Sequence, residues 1–206
     1  MSYAGPDVGR LLASLEKQGL TENTLVVFTA DNGCSPAANI TELQKAGHEP
    51  GYIYRGNKAD LYEGGHRVPF LVRWPAKVKP AVSAALIGQF DFLATFAEIT
   101  GATVPPGMGE DSVSFLPVLL GAKETVRQGI VSQSINGSFA IREGNWKLLL
   151  SAGSAGWSSP KPGPEEAGLP PVQLYDLSKD PGERSNLQAE FPERVAAMKA
   201  ELEKLI

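Results

Sequence analysis

The chain has 206 residues, 42% of them hydrophobic and 20% charged, with a formal net charge of -4 and one cysteine. Such a composition supports a buried core and excludes wholesale disorder, and the scattered lysines and arginines form neither a basic stripe for nucleic acid nor a polybasic segment for anionic lipid. No apolar run approaches the ~20 residues of a membrane span; Cys34 has no partner for an internal disulfide; and Met1 to Asp7 lack the basic and apolar regions of an export signal, so the chain as written is expected not to be exported.

Val8, Leu11, Leu12 and Leu15 recur at i, i+3, i+4 and i+7 and predict a helix, with Gly19 placed to stop it in the left-handed conformation. Leu25 to Thr29 is a continuous apolar, β-rich run, the pattern of a strand covered on both faces in a parallel sheet. Asp31-Asn32-Gly33 follow it directly, where open α/β sheets place their ligand sites. Cys34 to Gly51 lose periodicity and read as a long loop, with a short helix near Thr41 to Ala46. Val68 to Trp74 predict a second strand, and Asp91 to Thr100 a helix whose face carries Phe92, Leu93, Phe96 and Ala97, stopped by Gly101.

Beyond Gly121 the pattern changes. Short apolar stretches at Gly129 to Ser132, Phe139 to Arg142 and Trp146 to Leu150 are separated by turns at Asn136-Gly137 and Glu143-Gly144-Asn145, which predicts a small antiparallel sheet. Ser151 to Pro171, rich in Gly, Ser and Pro, reads as an irregular excursion, and Val195, Met198, Leu202 and Leu205 form the apolar stripe of a terminal helix starting near Pro192. The expected fold class is α/β: residues 1–123 as half of an α/β/α sandwich, and residues 124–206 as a small antiparallel sheet with a C-terminal helix. A buried strand needs neighbours, and the chain offers few strands like the first, so a further segment upstream is expected.

Three blocks point to one family: Thr29-Ala30-Asp31-Asn32-Gly33, the run from Gly56 through Lys58 and Glu63-Gly64-Gly65-His66-Arg67 to Pro69, and Leu174-Tyr175-Asp176 through Asp180-Pro181-Gly182-Glu183. In order and spacing they resemble the C-terminal portion of the formylglycine-dependent sulfatases, arylsulfatase-like members of the alkaline phosphatase superfamily. The resemblance implies hydrolysis of the sulfate ester of a sulfated carbohydrate or an aryl alcohol. Asp31 and Asn32 would then be oxygen ligands of Ca2+, Asp31 the base toward the hydrated formylglycine, and Lys58 a cation on the sulfate oxygens. His48, in the irregular loop, is a candidate contact to the leaving group or sugar, against a solvent-facing or structural histidine.

Glu63, Gly64, Gly65 and Arg67 are expected to brace the loop that aims Lys58, and His66 to be structural. Cys34-Ser35-Pro36 begins like the family's modification motif, but Ala37 and Ala38 stand where it has Ser and Arg, and the place directly after the metal pair is wrong, so Cys34 is not taken as the nucleophile. Formylglycine is expected in a missing N-terminal half required to complete the site, leaving this chain inactive alone and a weak binder of calcium. The family suggests a periplasmic, secreted or lysosomal setting. Two other readings stay open: a phosphatase or phosphodiesterase relative, and a non-catalytic sulfated-glycan-binding or partner subunit.

Overall fold

The computed structural model describes residues 4–206. They form two compact units: one joins the part before Ala30 to Pro69–Val126, and the other joins Ala30–Val68 to Arg127–Ile206.

In the first unit, helix α1 (Ala4–Lys17) is followed by Gly19 at φ 69, the left-handed stop its sequence predicts. Strand β1 (Val26–Thr29) pairs with β2 (Phe70–Arg73) in a two-stranded sheet, Val26 opposite Arg73 and Thr29 opposite Phe70. The pairing is antiparallel, and β1 is not covered on both faces: Phe28 is 41% exposed and Leu71 58%. A continuous apolar run identifies a strand but carries no direction for its neighbour, and the half-buried state here corrects the expectation of full cover. Helix α4 (Phe92–Thr100) ends at Gly101 with φ 69 and contributes Phe92 to an aromatic group with Phe70 and Phe115, ring centroids 5.7 to 6.0 Å apart. Buried Thr95 donates to the Asp91 carbonyl at 2.7 Å and accepts the N–H of Phe115, tying the helix to the segment before the short helix α5 (Leu116–Leu119).

The second unit is built on a four-stranded antiparallel sheet in the order β3-β4-β5-β6, comprising β3 (Gly129–Gln133), β4 (Phe139–Glu143), β5 (Trp146–Leu149) and β6 (Gln173–Asp176). The β4–β5 connection has Gly144 at φ 56 in its first position, a conformation that two-residue hairpins favour and a Cβ opposes. Three of these strands stand where the apolar stretches predict them. The fourth, β6, lies inside the third sequence block and is fully buried.

Alternation along the strands gives this sheet two buried faces. Ile141, Leu148 and Leu174 align in one row and pack on Met198 and Leu202 of the terminal helix α6 (Pro192–Leu205), which starts at Pro192 as expected. Ala140, Leu149 and Tyr175 face the other way and pack with Leu61 and Tyr62 of the loop between the short helices α2 (Ile40–Lys45) and α3 (Glu63–His66). The row on that second face also carries Arg142 and Lys147, directly paired across β4 and β5. No helix among the described residues is long and apolar enough to cross a membrane.

Candidate active site

The residues singled out in sequence all lie in the second unit, on backbone that the fold draws together. The Asp31–Cys34 turn is stitched to both ends of the second block: the Lys58 N–H donates to the Cys34 carbonyl at 3.0 Å, and the Gly33 N–H donates to the Gly65 carbonyl at 2.9 Å. A Cβ on Gly33 would overlap the Gly64 carbonyl, and one on Gly64 would overlap the carbonyls of Gly56 and Arg55. These glycines serve close backbone approach rather than positive φ. Asp31, Asn32 and Lys58 are thus carried on two adjoining loops, and none of their side chains makes an ion pair or hydrogen bond among the described residues. Asp31 is exposed, and Asn32 and Lys58 are half-buried.

Asp31 and Asn32 offer one carboxylate and one amide oxygen, hard donors of the kind calcium takes, and as a pair they fit part of a shell of about six to eight oxygens. Among the described residues no group of three or more His, Cys, Asp or Glu side chains is gathered to hold a metal. His48 follows α2, its N–H bonded to the Leu43 carbonyl at 2.9 Å, and among the described residues no hydrogen bond or ion pair joins its side chain to Asp31, Asn32 or Lys58. Cys34 is half-buried, with Sγ 3.7 Å from the Ser35 carbonyl.

Behind the loops lies a charge cluster that only the tertiary structure assembles. Glu63, 1% exposed, accepts from Lys147 Nζ at 3.0 Å, Arg142 Nη1 at 3.0 Å and Arg67 Nη1 at 3.1 Å. Lys147 also meets Glu183 Oε1 at 2.9 Å, and the other Glu183 oxygen accepts the Glu63 N–H at 2.6 Å. Burial pushes the Glu63 carboxyl up, but the charges of Lys147, His66 and Arg142 outweigh it and hold it down to about 2. Glu183 goes the other way: burial raises it more than Lys147 lowers it. His66 has Nε2 3.1 Å from the Leu61 carbonyl and 3.2 Å from Lys147 Nζ; burial and then the Lys147 charge lower it to about 4, so it is neutral at neutral pH.

The ion pair of Glu63 with Arg67 is therefore one edge of a larger network that joins the second block to the third through Glu183. Sequence reasoning missed Lys147 and Arg142 because charged residues alternating with apolar ones in a short strand read as a solvated face. The signal available was Trp146-Lys147-Leu148-Leu149, in which the lysine opens a continuous apolar run.

Asp60, 4% exposed, is a second hub. Its carboxylate accepts the N–H groups of Asn57 at 2.8 Å, Trp157 at 2.7 Å and Ser158 at 3.0 Å, and the Ser158 hydroxyl. It anchors the 151–171 excursion, which contains no strand, against the loop that carries Lys58.

A family profile described as Sulfatase matches residues 2–102. The chain is 38% identical over 204 residues to an N-acetylgalactosamine-6-O-sulfatase of Bacteroides thetaiotaomicron, covering 95% of this chain and 39% of that protein. It is 35% identical to arylsulfatase A of Homo sapiens, covering 87% of this chain and 36% of the relative. A solved structure from work on glycosaminoglycan metabolism by Bacteroides thetaiotaomicron superposes with a TM-score of 0.82 at 36% identity, over 96% of this chain and 42% of that one. The chain thus spans about two fifths of the length of the curated relatives it matches. With its three sequence blocks converging on one site, and with this agreement in sequence and fold, the chain belongs to the sulfatase family, matching its C-terminal portion.

Proposed function

We propose that this chain supplies part of the active site of a calcium-dependent sulfatase acting on a sulfated carbohydrate. The observation that carries the reading is the pair of backbone hydrogen bonds from Gly33 and Lys58, which bring a carboxylate, an amide and a cation without side-chain partners onto adjoining loops. In this reading Asp31 and Asn32 donate oxygens to calcium, and Asp31 accepts a proton from the nucleophile. The Lys58 ammonium offsets charge on the sulfate oxygens as the ester bond breaks. Formylglycine, supplied outside residues 1–206, would furnish the attacking hydroxyl. The cluster around Glu63 holds the loops in register and touches no substrate. The carbohydrate preference draws on the name of the Bacteroides relative, an N-acetylgalactosamine-6-O-sulfatase.

The test is sulfate release from 4-nitrophenyl sulfate and from N-acetylgalactosamine 6-sulfate by a protein carrying this chain with a formylglycine-bearing N-terminal half. Asp31→Ala and Lys58→Ala are expected to lower kcat/KM by about 10²- to 10³-fold, with calcium restoring activity after chelation. Unchanged kinetics in both variants would remove the assigned roles, and glycan binding that survives both substitutions without any turnover would favour a non-catalytic binding module.

A further inference from the structure

We infer that the cleft beside Lys58, walled by Arg55, Arg184 and Tyr52, is a subsite for a second, anionic sugar unit of the substrate; this rests on the sulfatase reading above. The cleft has a volume of about 380 Å³, within the range of small-molecule sites, and lies wholly in the second unit. Its wall includes Cys34, whose carbonyl holds the Lys58 N–H, and Asn57, the residue before Lys58. An occupant therefore adjoins the sulfate-binding loops without overlapping them.

The chemistry of the wall selects the ligand. Arg55 is locked, its guanidinium 4.0 Å over the Tyr62 ring and its Nη1 donating to the Glu183 carbonyl at 2.9 Å, yet no carboxylate pairs with it. Arg184 is exposed and likewise lacks a carboxylate partner, while Asp180 below it is occupied by the N–H groups of Arg184 and Ser185. Against these two cations stands one anion, Glu49, engaged by Gln44 at 2.9 Å. Tyr52 is held at φ 57, unusual for an aromatic residue, and stands 75% exposed with its ring edge-on to Tyr54, the surface on which a pyranose face stacks. A guanidinium fork, held in place at Arg55, suits a planar carboxylate or a sulfate.

Steady-state kinetics on N-acetylgalactosamine 6-sulfate, and on the same sugar linked to a uronic acid, tests this. Arg184→Ala is expected to raise KM for the acidic disaccharide about tenfold, the worth of one charge-assisted contact, with kcat and the monosaccharide unaffected, and Arg184→Lys to restore part of the loss. Reducing the uronate to its neutral alcohol should abolish the difference between wild type and variant, and a neighbour bearing sulfate instead of carboxylate shows which anion is preferred. Equal effects on both substrates, or none, would overturn the subsite. If no substrate is turned over, calorimetry decides it separately: disaccharide binding that depends on Arg184 and Tyr52 keeps the subsite while the sulfatase reading falls, and binding indifferent to both removes it.

Discussion

Lys147 is 1% exposed and shared by two buried carboxylates, Glu63 at 3.0 Å and Glu183 at 2.9 Å. Replacing it with Met keeps the volume and leaves two acids buried against each other, so Lys147→Met is expected to destabilise the chain by about 3 to 5 kcal/mol in urea unfolding. Acid has a related effect through His66, whose ordinary value of 6.5 falls to about 4 in the fold. The unfolded chain takes up this proton first, so the histidine's contribution is complete above pH 6.5 and is lost as pH falls toward 4. Glu63, ordinarily at 4.5 and held at about 2, continues the loss below that window. Glu183, raised in the fold, acts with the opposite sign and favours the folded state as its carboxyl protonates. A urea series between pH 7 and pH 4 is expected to show declining stability that His66→Leu flattens in the upper half of the range; an unchanged slope would remove His66 as the cause.

At the scale of elements, the loop that carries Lys58 has little regular structure, and its shape comes from the sheet beneath and the excursion beside it. Asp60 receives three N–H groups and a hydroxyl from residues 57 to 158, so one carboxylate joins segments about a hundred positions apart. Asp60→Ala leaves those donors without their acceptor at a cost of about 1 to 3 kcal/mol, and the Trp157 and Ser158 amides should then exchange with solvent far faster while those of β4 and β5 do not. Uniform acceleration across the unit would instead mark global destabilisation.

For the molecule as a whole, the first unit differs from the second in how much apolar surface it shows. Leu11, Phe28, Leu71, Leu93 and Phe96 are each 40 to 58% exposed there, and the unit's sheet has two strands, fewer than a sheet needs for independent stability. This chain by itself is expected to bind a hydrophobic dye and to self-associate as its concentration rises; a monomeric, cooperatively melting chain that binds little dye would contradict the prediction.

What the residues alone determined were the periodic and punctuated features. The α1 stop at Gly19, the α4 stop at Gly101, the three hairpin strands and the Pro192 start of α6 follow from local rules of spacing and turn chemistry that neighbours do not alter. The three sequence blocks likewise carried the family, because long runs of specified residues persist in the sequence whatever they touch. Only the tertiary structure decided the direction of the β1–β2 pairing, the burial of β6, and the meeting of Glu63, Lys147 and Glu183 across up to 120 positions. The reason is physical: strand direction and the state of a buried charge depend on which groups the rest of the chain brings within a few ångströms, and no local pattern encodes a partner so far away.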